Sequence, residues 1–359
     1  MTIFWINLLV VFIVSFFARY FATITCTTNV LISIKPNKIL VFVALLPLVL
    51  ISGLRKDIGD TGFYKYAYKI SDFTWNHIKS EKDIGFGIFQ MFLKKFSDDP
   101  QIMVFTTALI TNVLVILVLY KYSRLFELSM YVYITGGWYL VSMNGIRQSL
   151  AAAIIFTATK FLIEGNWKKY ILIVLIASTF HQSALILIPI YFLVRFKAWS
   201  KTTFILIFCS ILLVIVFNQF TSVLFAAIEN TQYGQYKDFV AQGANVFRVA
   251  VYAVPLVIAY LGREKLREIY PDCDYIVNMS IINVVFMIVS TQNWIFARFS
   301  IYFGLYQIIL ISWIVKVFNE KDQKLVYYAI LVFYFIYYYY ENVRSLNIIY
   351  RSDFIKFFS

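Results

Sequence analysis

Long apolar runs alternate with short polar breaks along almost the whole chain. The runs fall at about 3–21, 39–54, 102–120, 126–142, 148–163, 170–194, 203–228, 246–261, 276–290, 299–317 and 325–340. Most are rich in Leu, Ile, Val and Phe with no period of two, and a helix of such length crosses about 30 Å of hydrocarbon. The pattern predicts an all-α fold: one polytopic integral membrane helical bundle, residues 1–359, with about ten to twelve transmembrane segments. Tyr120, Tyr122, Trp138, Tyr139, Trp313 and Tyr337 to Tyr340 sit at run edges, where an aromatic belt is expected. The first run lacks a basic leader and a small-residue cleavage site, so it reads as a span and not as a removed signal.

Two polar stretches interrupt the pattern. Residues 55–101 are predicted as a long extracytoplasmic loop, with basic and acidic residues in near balance among Phe63, Tyr64, Tyr66, Tyr68, Phe73 and Trp75. Residues 229–247 form a second outer loop with Gln232, Tyr233, Gln235, Tyr236 and Asn245. Aromatic faces beside amides suit sugar rings; a segment resting on lipid headgroups is the other reading. The remaining loops are basic, among them Lys35 and Lys38, Lys121 and Arg124, Lys168 and Lys169, Arg195 and Lys197, and Arg263 and Arg267. All of these lie on the cytoplasmic side only if residues 170–194 do not cross. A re-entrant hairpin turning near His181 meets that condition, each arm spanning roughly 16 Å, half a bilayer.

Composition agrees. The chain is 61% hydrophobic and 14% charged, against about 25% charged for soluble domains. The net charge of +13 belongs to the loops and not to a nucleic-acid interface, since no soluble basic domain exists to carry one. Cys26, Cys209 and Cys273 are too scattered for a disulfide framework, and His77 and His181 are the only histidines, so no zinc spacing is present.

Rare ionisable groups beside the apolar runs carry the candidate chemistry, because a charge at membrane depth is costly and is usually kept for work on a polar substrate. Arg55-Lys56-Asp57-Ile58-Gly59-Asp60-Thr61-Gly62-Phe63-Tyr64 follows the second run, and its glycines permit a tight turn that brings Arg55 near Asp60. Arg55 then grips a phosphate and Asp60 a sugar hydroxyl, or the two form a structural ion pair. In Asn144-Gly145-Ile146-Arg147-Gln148, Arg147 opens a helix, where free N–H groups and the dipole attract anions; a snorkelling arginine is the alternative. In Thr179-Phe180-His181-Gln182-Ser183, the imidazole suits reversible proton transfer near neutrality, or is a core histidine bonded locally. Arg298, with Tyr302 after it, again starts an apolar run, and Arg248 is placed similarly. Several arginines on one face suggest a diphosphate or lipid headgroup.

These three motifs, in this order and spacing, resemble the EpsG-type branch of Wzy-like polysaccharide polymerases. The likeness is closest over about 40–200 and persists afterwards in hydropathy and in Arg298. It implies a glycosyltransferase of the bacterial cytoplasmic membrane, facing the periplasm or exterior, that polymerises O-antigen or exopolysaccharide repeat units. Its partners are then lipid-linked oligosaccharide on undecaprenyl diphosphate, membrane lipids and a chain-length regulator, with no nucleic acid. His181 is the first candidate for the base and Asp60 the second. Arg55, Tyr64, Arg147, Gln148, Arg248, Arg298 and Tyr302 are candidates for binding diphosphate or sugar. With arginines as countercharge, no metal or other cofactor is required. Two alternatives stay open: a flippase for lipid-linked oligosaccharide, which predicts an internal repeat that is not seen, and a membrane acyltransferase.

Overall fold

The computed structural model describes residues 1–26, 32–217 and 243–355. The first apolar run is helix α1 (Thr2–Tyr20), which a two-stranded antiparallel ribbon, β1 (Thr23–Cys26) and β2 (Ile32–Lys35), joins to α2 (Lys38–Gly53). The Asn37 side chain accepts from the N–H groups of Ile39 and Leu40 and so caps α2. Residues 55–101 are a folded lobe and not an open loop. Helices α3 (Thr61–Ile70), α4 (Trp75–Ser80) and α5 (Ile84–Lys94) close around Tyr68, Phe73, Ile78, Phe86 and Leu93. Mixed charge along this stretch hid the apolar side on which its helices pack.

Helix α6 (Gln101–Tyr122) returns through the bundle. The expected run 126–142 is broken into α7 (Phe126–Thr135) and α8 (Trp138–Asn144). The break lies at Gly137, whose φ of 90° is in the left-handed region. The run 148–163 divides into α9 (Ile146–Thr157) and α10 (Thr159–Ile163). Residues 170–194 fold back as expected: α11 (Trp167–Phe180) ends at His181, a 3-10 turn (Gln182–Ile186) follows, and α12 (Leu187–Leu193) runs back. The two arms close with the Tyr170 and Tyr191 rings 4.9 Å apart and the Arg195 guanidinium donating to the Leu162 carbonyl at 2.9 Å.

The remaining helices are α13 (Lys201–Ile215), α14 (Val246–Leu261), α15 (Arg263–Ile269), α16 (Cys273–Ser290), α17 (Ser300–Ile314) and α18 (Glu320–Tyr338). The second expected loop, 229–247, lies almost wholly outside the described residues. Among the described residues four helices are long and apolar enough to cross a membrane, or five if the bent pair α14–α15 counts as one. The other apolar runs form shorter or broken helices, apart from α18, which has 19 residues and a charged first turn. A broken helix exposes carbonyl and N–H groups, tolerated at membrane depth only where protein satisfies them.

Every residue of α7 is buried, as is Tyr302–Ile314 of α17. A helix that is apolar on all sides belongs at a centre. By contrast α1 exposes Leu9, Ile13, Phe16 and Phe17, the behaviour of a lipid-facing helix. Inside the bundle, amides link the helices: Asn283 donates to Gln307, which donates to the Tyr252 carbonyl, both at 2.6 Å.

The helix ends sort into two groups. At one end Trp313 donates to the Tyr122 carbonyl at 2.7 Å, Arg267 to that of Ala198 at 2.9 Å, and Arg19 pairs with the buried Glu127. These are the basic loops that the charge rule assigns to the cytoplasm. At the other end the lobe, the α8–α9 junction, the hairpin tip at His181, the stretch before α17 and the C-terminal segment converge.

Candidate functional site

The convergence is built from ion pairs and hydrogen bonds. Asp83 stands at the start of α5 but its side chain does not cap that helix. One carboxylate oxygen accepts the Gln182 N–H at 3.0 Å, and the other pairs with Arg147 at 2.8 Å. A buried carboxylate of the lobe thereby fixes the hairpin tip and the second residue of α9 together. Burial pushes the Asp83 carboxyl above its usual range, against the pull of Arg147 and the Gln182 N–H. Arg147 also donates to the Tyr64 hydroxyl at 3.1 Å and lies over the Tyr64 ring at 5.4 Å.

Around His181 a second chain of bonds runs inward. His181 Nδ1 lies 2.7 Å from Ser183 Oγ, which lies 2.9 Å from the hydroxyl of Tyr302, buried in α17. Gln148 donates to the Arg298 carbonyl at 2.9 Å and reaches Ser183 Oγ at 3.5 Å. Arg298 lies in a 3-10 turn (Trp294–Phe299), its guanidinium over the Trp294 ring at 5.1 Å. Its nearest carboxylate is Asp60, at 3.7 Å. Arg298 and Asp60 are 34% and 47% exposed, whereas Asp83 is 4% exposed. The two arginines are therefore held differently: Arg147 by a short pair with a buried carboxylate, Arg298 by a loose pair with an exposed one.

Asp60 does not meet Arg55. Its N–H donates to the Asn144 side chain at 3.0 Å. The preceding Gly59 has φ +53°, and a Cβ there would come within 2.1 Å of the same Asn144 oxygen. No other residue fits that close approach without moving Asn144.

Arg55 corrects the expectation of a phosphate ligand. It is 1% exposed; it donates to the Thr61 hydroxyl at 2.9 Å, to the Met143 carbonyl at 3.0 Å and to the Ser52 carbonyl. The neighbouring carbonyls of the α2 terminus are also taken: Ile51 by Tyr350 at 3.0 Å, Leu54 by Ser352 at 2.6 Å, and Gly53 by Gln101. Helices end with unpaired carbonyls, and Arg55 spends its donors on them. Arg248 is also set apart, paired with Glu341 in the π-helical turn Tyr339–Ser345. Arg351 pairs with Asp57 at 3.0 Å.

Of the residues singled out in the sequence, the structure thus gathers Asp60, Tyr64, Arg147, Gln148, His181, Arg298 and Tyr302. It places Arg55 behind them and Arg248 on another pair. Sequence reasoning missed Asp83, Ser183 and Asn144. Ser183 and Asn144 stand inside the motifs it quoted, but only their contacts give them a part. Asp83 carried a weak signal, an acidic residue just before an apolar helix.

Together, the apolar helices and the cluster of ionisable groups at one end define a polytopic membrane protein with a polar site built at broken helix ends. The EpsG family model matches residues 38–356, and the chain belongs to that family of polysaccharide polymerase-like membrane proteins. The match runs well beyond residue 200, where the likeness of individual motifs fades. No curated protein and no solved structure matches the chain.

Proposed function

We propose that this protein polymerises lipid-linked oligosaccharide repeat units at the outer face of the bacterial cytoplasmic membrane. The growing glycan is transferred from undecaprenyl diphosphate to a hydroxyl of a new lipid-linked unit. The observation that carries this reading is the arrangement of His181, bonded through Ser183 to Tyr302, with Arg147 and Arg298 on the same cluster.

The geometry supports the following chemistry. In the tautomer that carries its proton on Nδ1, His181 donates to Ser183 Oγ, 2.7 Å away, and the Nε2 lone pair is left for a substrate proton. The acceptor oxygen bonds to the anomeric carbon of the donor, and its proton passes to Nε2. The bond from that carbon to the diphosphate oxygen breaks, and the electron pair leaves with the lipid diphosphate. Arg298 meets this growing charge. Its exposed pair with Asp60 is worth about 0–1 kcal/mol, while a hydrogen bond to a charged phosphate contributes about 1.5–3 kcal/mol. The diphosphate therefore displaces Asp60, which is then free to accept from a sugar hydroxyl and stands as the second candidate base. Arg147 stays on Asp83 and holds the hairpin tip while its remaining donors face the substrate.

The test is reconstitution. Purified protein and a lipid-linked repeat unit are mixed in detergent without nucleotide. A ladder of glycans that disappears in His181→Ala supports the proposal. Unchanged substrate, with lipid-linked oligosaccharide crossing vesicle bilayers instead, points to a flippase and overturns it.

A further inference from the structure

A cavity of about 200 Å³ opens in the outer lobe, between α3, α4 and α5. Phe63, Tyr64, His77, Glu81 and Gln90 line it, and its inner wall is the Asp83–Arg147 pair. That wall is shared with the cluster described above, since Asp83 also holds the N–H of Gln182, next in the chain to His181. The cavity is thus an antechamber of the site and not a separate feature of the surface.

Its lining selects by chemistry. Four aromatic side chains, Phe63, Tyr64, Phe73 and Phe86, line it with apolar surface. His77 and Glu81 lie on one helical edge, 3.7 Å apart and each about half exposed, so both have capacity left for a ligand. Gln90 donates to the Met103 sulfur at 3.1 Å, and its carbonyl oxygen remains an acceptor. Among the described residues Arg147 is the one Lys or Arg side chain lining the cavity, and Asp83 holds it from within the same wall. Two carboxylates against one engaged guanidinium repel a phosphate. Apolar faces with a few convergent hydroxyl partners fit a neutral polyol ring instead. The volume lies below the roughly 300–1,000 Å³ of pockets for drug-sized ligands, so it receives one ring and not an extended glycan.

We propose that this cavity is the acceptor subsite, seating the terminal non-reducing sugar of the incoming lipid-linked unit and holding it against Arg147. The assignment rests on the polymerase reading, and it divides the labour: diphosphate at Arg298, acceptor sugar in the lobe. It gives His77 and Glu81, which lie outside the cluster, a part in substrate selection.

The test reads binding without turnover. The probe is the free repeat-unit oligosaccharide, with lipid and phosphate removed, added to the full chain in detergent. Saturation-transfer difference NMR is expected to show transfer to the terminal ring in the wild type. Ala67→Trp, which fills the cavity from α3, is expected to abolish that transfer. Glu81→Gln, an exposed change that leaves folding intact, is expected to weaken it severalfold, and inorganic pyrophosphate is expected not to compete. Absence of transfer in the wild type, full transfer in both monodisperse variants, or displacement by pyrophosphate each overturns the subsite. The polymerase reading fails separately: bound sugar with no ladder sinks the reaction but keeps a glycan site, while ladders with transfer undisturbed by both variants sink the subsite alone.

Discussion

Arg55 at the end of α2 and Arg298 before α17 look alike in the sequence, each a cation at the edge of an apolar run. In the structure they are opposites. Arg55 is sealed, and its donors go to two backbone carbonyls and a threonine hydroxyl. Arg298 is a third exposed and faces a carboxylate too distant for a hydrogen bond. The first ties helix ends together; the second, under the proposed function, changes partners. What separates a structural arginine from a functional one is the chemistry of its partner and its access to water, neither of which its neighbours in the chain specify.

The largest effect is expected at the sealed arginine. Arg55→Ala removes three buried hydrogen bonds from a charged group, to the Ser52 and Met143 carbonyls and the Thr61 hydroxyl, at about 1.5–3 kcal/mol each, although Thr61 keeps its bonds to the Ile58 and Met143 carbonyls. The sum is a large share of a total stability of about 5–15 kcal/mol. The variant is expected to lose its monodisperse peak on size-exclusion chromatography in detergent. A well-folded, active Arg55→Ala protein would break the comparison at once.

At the open arginine the expectation reverses. Arg298→Ala should leave thermal unfolding within about 0.5 kcal/mol of wild type, as surface changes do. Its rate of ladder formation should fall roughly 10²–10³-fold, the loss seen when one preorganised donor to a developing charge is removed. A matching loss of stability would place Arg298 beside Arg55 as a structural residue.

Asp83→Asn tests the intermediate case, a pair buried on one side only. The amide still accepts the Gln182 N–H but no longer neutralises Arg147. Stability should drop by about 1 kcal/mol and the ladder rate about tenfold, measured by thermal unfolding and initial rates. The smallest effect is expected at Ser183. Ser183→Ala removes one link to His181, worth about 1 kcal/mol. It should shift the acid limb of the pH–rate profile while leaving diphosphate affinity unchanged; an acid limb at the wild-type position would show that the Ser183 bond does not tune the imidazole.

The hairpin at residues 170–194 was legible because two independent signals agreed: loop charges required no crossing, and the polar residues around His181 marked the turn. The convergence of Arg147, His181 and Arg298 followed from threading the apolar runs through a bilayer. Other features could not be read this way. The lobe at 55–101 has too many charges for its packing faces to stand out, so Asp83 was lost in a mixed-charge stretch. Whether Asp60 meets Arg55 or Arg298 depends on Asn144, which draws the backbone at Gly59 and Asp60 toward the α8–α9 junction. Such a tertiary contact, 84 positions away in the chain, leaves no local trace. Breaks such as Gly137 were hidden because a hydropathy window averages over a single left-handed residue.

The central claim is that Arg298 exchanges Asp60 for the lipid diphosphate. The most direct measurement is the dissociation constant of undecaprenyl diphosphate for wild-type and Arg298→Ala protein in the same detergent, with both shown to unfold at the same temperature. The account expects the variant to bind at least tenfold more weakly, about 1.4 kcal/mol. Equal affinity in two equally stable proteins would contradict it.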